Sequence, residues 1–118
     1  MRAIRGATQL AADDAAEMSE ATVELLEQML TRNGLRSDDL ISVIFTATPD
    51  LVCGFPAAAA RDIGFGDVPL LCASEIAVAG APEHIIRVMM YAETELSRDQ
   101  VQHVYLRGAE VLRQDLAQ

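Results

Sequence analysis

His84-Ile85-Ile86-Arg87-Val88-Met89-Met90 sets one arginine in the middle of an otherwise apolar run of strand length. A guanidinium keeps its charge at any working pH, so an arginine inside such a strand needs an anion, supplied either by the chain or by a ligand. Two further segments repeat the anomaly. Arg5 interrupts the strand-like pattern of residues 1–10, and Glu75 closes the run Val68-Pro69-Leu70-Leu71-Cys72-Ala73-Ser74-Glu75. Three charged residues in three core-like segments are more than a solvated surface explains. They imply a pocket for an anionic ligand, with an internal Arg87–Glu75 salt bridge as the competing explanation.

The chain has 118 residues, which suits one domain, residues 1–118, that buries roughly two-thirds of its unfolded surface. Self-association would add to so small a core. Half of the residues are hydrophobic (51%), yet no apolar run approaches the roughly 20 residues of a membrane-spanning helix. The start, MRAIRGATQL, carries no signal-peptide apolar segment, so a soluble cytoplasmic protein is expected. Cys53 and Cys72 match no zinc or CxxC spacing and read as reduced thiols. A net charge of −9 argues against nucleic-acid or anionic-membrane surfaces, which rest on basic patches. All nine basic residues are arginines. Codon composition accounts for surface positions such as Arg32, Arg36, Arg98 and Arg107, but not for arginines within apolar strands.

Outward from the Arg87 strand, which extends to about Glu93, the pattern predicts strands over residues 1–10, 40–48, 68–75 and 101–106. A long amphipathic helix runs from about Met18 to Asn33, with Gly34 as its C-terminal stop. The stretch 11–16 reads as a weakly specified connection. Pro56 followed by four alanines opens a short helix over 56–63, and residues 108–112 form a short helical turn before a tail, 113–118. The fold class is α+β: a mixed sheet of about five strands with one long helix and short helices.

If Arg5, Glu75, Arg87 and Tyr105 share a pocket, two arginines can grip carboxylates, a carboxylate can accept a hydroxyl proton, and a phenol adds a directional donor. Such a pocket suits a small polyanion bearing a hydroxyl. Neither His84 nor His103 has a serine or cysteine partner at a recognisable spacing, and no phosphate loop or metal-ligand spacing occurs. Without a nucleophile and base, a reaction that needs only conformational restraint and charge stabilisation, such as a pericyclic rearrangement, remains open.

Several motifs, in order along nearly the whole chain, resemble the trimeric α/β-barrel class of chorismate mutase. They are Ile4-Arg5-Gly6-Ala7-Thr8, Ala47-Thr48-Pro49-Asp50-Leu51 leading to Phe55-Pro56-Ala57 and Arg61, and Val68-Pro69 to Cys72 with Glu75. Ile86-Arg87-Val88-Met89, His103-Val104-Tyr105-Leu106, and Val111-Leu112-Arg113 with Asp115 complete the set. The resemblance implies a homotrimer whose sheets form a barrel-like core with sites between subunits. It implies conversion of chorismate to prephenate, in aromatic amino-acid biosynthesis, without cofactor or metal. By the same resemblance Arg87 stabilises charge on the breaking ether oxygen, and Arg5 and Tyr105 hold carboxylates. Glu75 and the Cys72 region meet the ring hydroxyl. Phe55, Ala57 and Arg61 come from the neighbouring subunit, and Leu112 and Arg113 close the entrance. The chain departs from the family pattern in having Ala58 where a lysine is common, Leu71 where a polar residue is frequent before Cys72, and Gln114 where a proline often follows the tail arginine. A non-catalytic trimeric protein that binds small carboxylates is the rival reading.

Overall fold

The computed structural model describes residues 1–112. The elements in chain order are β1 (Arg2–Gln9), α1 (Ala15–Arg32), a 3₁₀ turn (Ser37–Asp39), β2 (Leu40–Ala47), α2 (Pro56–Asp62), β3 (Leu70–Ser74), β4 (Ile85–Ala92) and β5 (Val104–Leu106). The chain is helical again at 110–112. The five strands form one mixed sheet in the order β3-β2-β4-β1-β5. Strand β4 inserts between β2 and β1 and runs antiparallel to both, while the two outer pairs, β2–β3 and β1–β5, are parallel. The α+β class read from the sequence is the observed one.

Helix α1 begins three residues before the apolar periodicity suggests. Asp14 is its N-cap and accepts the Glu17 N–H at 2.8 Å, and the Glu17 carboxylate reaches back to the N–H groups of Ala11 (2.6 Å) and Ala12 (3.1 Å). Asp14 thus caps the first turn while the Glu17 carboxylate ties down the chain just before it, which gives definite structure to the stretch 11–16. At the other end Gly34 adopts φ 62°, and the N–H groups of Gly34 and Leu35 bond to the carbonyls of Thr31 and Leu30, a Schellman closure.

The two helices lie on the same face of the sheet. Alternate residues of the central strands, Ile4, Val43, Phe45, Val88 and Met90, join Leu25, Leu26 and Met29 of α1 and Ala57 and Ala60 of α2 in the main core. The intervening residues, including Arg5, Ile44, Thr46, Arg87, Met89 and Tyr91, stand on the opposite face, which no helix of the first 108 residues covers. The expectation that the Arg87 strand is buried therefore holds for one face only. Ile86, Val88 and Met90 are buried, and the Arg87 side chain is 50% exposed.

Strand β5 is also shorter than expected. Asn33, buried at the C-terminus of α1, accepts the Gln102 N–H at 2.8 Å and donates to the Gln102 carbonyl at 2.9 Å. Both ladder groups of Gln102 are thereby diverted to the helix, and pairing with β1 begins only at Val104. Among the described residues no helix is long and apolar enough to cross a membrane.

Gly6 lies where α1 crosses β1. A Cβ at this position would collide with the Met29 sulfur and approach Leu25 Cδ1 to 3.1 Å. Met29 is fully buried, so its displacement repacks the core. Gly6→Ala is expected to destabilise the fold by about 1–3 kcal/mol through overpacking, measured as a lowered urea midpoint. An unchanged midpoint would mean that Met29 moves aside freely.

Candidate active site

One transverse row of the uncovered sheet face runs Ala73, Thr46, Arg87, Ala7, Tyr105, each paired in register with the next. Glu75 follows β3 and stays in register because its N–H bonds to the Ala47 carbonyl at 2.9 Å. Arg5 stands one row further along β1, opposite Met89. These residues line a cleft of about 240 Å³ that contains Arg5, Glu75, Arg87 and Tyr105 together with Thr46 and Ala7. The four charged and phenolic residues proposed from sequence to share a pocket do so.

Arg87 Nε lies 2.9 Å from Glu75 Oε1, and the same oxygen accepts the Thr46 hydroxyl at 2.6 Å. The internal ion pair weighed at the sequence level is thus present, but it uses one N–H of a guanidinium that carries five. Among the described residues the Arg87 Nη nitrogens have no hydrogen-bond acceptor and the Arg5 guanidinium has no acidic partner. Two cations against one carboxylate leave the cleft with surplus positive charge and free N–H donors, the arrangement that receives a carboxylate-bearing ligand.

The remaining candidates lie elsewhere on the chain. The Cys72 side chain is on the helix-bearing face, packed against the main core. It lines a second cleft of about 270 Å³ with Phe55, away from Arg87. Because strand neighbours alternate, Leu71 and not Cys72 shares the face of Glu75, and Leu71 is 61% exposed. Ala57 is 4% exposed with its methyl inside the core, so only its backbone is free to meet a ligand. Arg61 is exposed on α2 and Phe55 is 74% exposed at its N-terminus. Leu112 packs with Ala109 against Tyr105, Ala7 and Ile85, so the C-terminal helical turn shields the sheet face beside the cleft. Arg113 lies outside the described residues.

His103, adjoining the cleft beneath Arg5, was not singled out by its sequence context. Its Nδ1 accepts the Arg5 backbone N–H at 2.9 Å. Burial, and then the Arg5 charge, hold its pKa below the ordinary histidine value. Both cysteines are free, and burial followed by a hydrogen bond with Asp13 pushes the Cys53 thiol up to about 11, so it offers no thiolate nucleophile near neutral pH. Asp50, Glu83 and His84 bring three potential metal-ligating atoms within 4.8 Å of one another outside the cleft. There Asp50 Oδ2 already meets the His84 N–H at 2.9 Å and His84 Nε2 at 3.1 Å.

Residues 1–116 match the family model described as chorismate mutase type I. The chain belongs to the type I chorismate mutase family. It is 48% identical over 117 residues to chorismate mutase AroH of Thermus thermophilus, covering 98% of this chain and 96% of that one. To chorismate mutase AroH of Bacillus subtilis it is 41% identical over 118 residues, covering 99% and 93%. A solved chorismate mutase from Clostridium thermocellum superposes with a TM-score of 0.92 at 47% identity, covering 94% of this chain and 99% of that one. The resemblance drawn from the motifs is therefore the family the whole chain supports.

The lowered pKa of His103 fixes the sign of one pH effect. Above the ordinary histidine pKa of about 6.5 the imidazole is neutral in both folded and unfolded chains, and its contribution to stability is complete. As pH falls below that value the unfolded chain takes up a proton that the folded chain resists, and the contribution is lost down through the folded-state pKa. The urea midpoint of this chorismate mutase is expected to drop between about pH 7 and pH 5, and His103→Asn should make that part of the profile flatter. An equal drop in the variant would assign the effect to other groups.

Proposed function

We infer that this chain converts chorismate to prephenate as a homotrimeric enzyme of the cytoplasm, with each site completed by a neighbouring subunit. The reaction is an intramolecular rearrangement: one C–O bond breaks while one C–C bond forms, and no atom is gained or lost. It requires no nucleophile, base or cofactor. The protein's task is to hold the folded-over conformer and to stabilise the negative charge that gathers on the ether oxygen as the bond breaks.

The observation that carries this reading is the row in which Arg87 stands between the Thr46–Glu75 pair and Tyr105, with Arg5 one row away. In this reading the free Nη groups of Arg87 meet the ether oxygen, where charge is greater in the transition state than in the substrate. Arg5 and Tyr105 hold carboxylates. Glu75, fixed by Thr46 and Arg87, accepts the ring hydroxyl proton in a hydrogen bond. Cys72 acts at most through its backbone, because its thiol belongs to the core-facing side of β3.

Two features support an assembly. The cleft of about 240 Å³ is below the roughly 300–1,000 Å³ of typical enclosed ligand sites, as a site lacking a wall should be. Phe55, Leu71, Ile76 and Val78 are large apolar side chains, each more than half exposed, and side chains of this kind gain from burial against another copy. Phe55 and Arg61 of one subunit would then supply the missing wall of the next. Two free cysteines suit the reducing cytoplasm.

Purified protein mixed with chorismate should consume it, followed as loss of ultraviolet absorbance, and should have the solution mass of a trimer. A trimer without turnover would favour a carboxylate-binding protein instead. Arg87→Ala is expected to lower kcat by on the order of 10²- to 10³-fold or more while the assembly persists. Arg87→Lys should also be poor, since an ammonium cannot engage Glu75 and the ether oxygen through one planar fork. Retained turnover in Arg87→Ala would make this arginine structural.

A further inference from the structure

We propose that His103 is a positioning residue for Arg5: its Nδ1 accepts the Arg5 backbone N–H and sets the height at which the arginine side chain enters the cleft. The proposal rests on the reading of Arg5 as a carboxylate-binding residue.

A parallel ladder supplies each inward N–H of β1 with a carbonyl of β5. The pairing covers Gly6, Ala7 and Thr8 and stops there. One residue earlier, the Gln102 carbonyl that could have continued it is held by Asn33 Nδ2 at 2.9 Å, and the Gln102 N–H by Asn33 Oδ1 at 2.8 Å. The Arg5 N–H is therefore left at the frayed end of the ladder, partly buried, and the imidazole takes the place of the missing carbonyl. Without this acceptor β1 loses its last tie to the β5 side at the residue whose side chain lines the substrate cleft.

The bond has a protonation requirement. Nδ1 accepts only when it carries no hydrogen, which assigns the proton of the neutral ring to Nε2. On protonation, an N–H at Nδ1 would face the Arg5 N–H and the contact would become repulsive. The surroundings oppose that protonation. The ring lines a second cavity of about 490 Å³ with Arg2 and Arg5 of β1, Tyr91 of β4, Arg98 of the preceding turn and the N-terminal residue Met1, and no carboxylate lines it among the described residues. Burial of the ring, and then the charge of Arg5 beside it, keep the acceptor free near neutral pH. Arg5, with Met89, lines both this cavity and the substrate cleft. A proton placed on His103 is thus felt directly by a substrate-binding residue.

The test compares chorismate turnover by the full-length wild type, Arg5→Ala, His103→Leu and His103→Asn from about pH 8 to about pH 5. Asparagine can present an acceptor oxygen near the place of Nδ1 and does not titrate; leucine keeps bulk without an acceptor. Arg5→Ala should lose on the order of 10- to 10²-fold in kcat/KM, as expected for removal of a charge-assisted hydrogen bond. His103→Leu should raise KM by about tenfold with a smaller change in kcat, since a displaced binding group weakens capture and alignment. His103→Asn should stay within about threefold of wild type and lose the acid limb that the wild type shows below about pH 6. In ¹H–¹⁵N spectra the Arg5 amide should titrate with the His103 ring in the wild type and not in His103→Asn. Full activity in Arg5→Ala would sink the reading of Arg5 itself. Impaired Arg5→Ala beside an unaffected His103→Leu would overturn the positioning role alone. Should His103→Leu fail to fold, an unchanged acid limb in His103→Asn, or an Arg5 amide indifferent to the His103 titration, would overturn it equally.

Discussion

A five-stranded sheet with α1 and α2 both on one face is the constraint from which the site follows. Strand geometry sends alternate residues of β4 to opposite faces, so Ile86, Val88 and Met90 enter the core beneath α1 while Arg87 stands on the other side. A slip of one residue would bring Arg87 under the helix and expel three apolar side chains. That exchange combines lost apolar burial with an unpaired buried charge, a penalty of several kcal/mol. The arginine that serves the cleft therefore also helps to specify the register of the central strand. Register then spaces the site: with β4 antiparallel to both neighbours, Thr46 and Ala7 must flank Arg87, and Tyr105 follows from the parallel pairing of β5.

How much of this was legible in the sequence depends on the range of the interaction concerned. The strand and helix order, the charged residues out of place in apolar runs, and the family motifs are local patterns, and the structure keeps them. The face on which each residue stands was less legible. The run Ile85 to Met90 lacks polar alternation, since Met89 is apolar although it belongs to the uncovered face, and so it reads as buried on both sides. Leu71 and Cys72 show the same limit: adjacent in sequence, they occupy opposite faces, and only the pairing of β3 with β2 decides which one neighbours Glu75. The early start of α1 could have been read, because Asp14 and Glu17 have capping-box spacing. The short β5 could not, since Asn33 and Gln102 are 69 residues apart in the chain.

An acidic chain that captures an anion needs its cations close by. The net charge of −9 gives a repulsive field at long range, but at physiological ionic strength charges separated by more than about 8 Å are largely screened. Within the cleft the balance reverses, with Arg5 and Arg87 against Glu75. Glu75 does not cancel Arg87, because the Thr46 hydroxyl already draws on the shared oxygen and the pairing reaches only Nε. The carboxylate orients the guanidinium and leaves its outer edge available, which is what preorganised charge stabilisation requires.

Two small residues at the centre of β1 reconcile close packing with open space. Gly6 faces α1, where the absent side chain admits the Met29 thioether against the strand and seals the core. Ala7 faces the other way, between Arg87 and Tyr105, and a single methyl there keeps the row from filling itself. A larger side chain at position 7 would occupy the space between the cation and the phenol, and it would also press on Leu112, which packs against Ala7 from the C-terminal turn. The Gly6-Ala7 pair thus sets the thickness of the domain on one face and the depth of the cleft on the other. This is a physical reason for a strand whose Arg5 lines the cleft to continue with the two smallest side chains available.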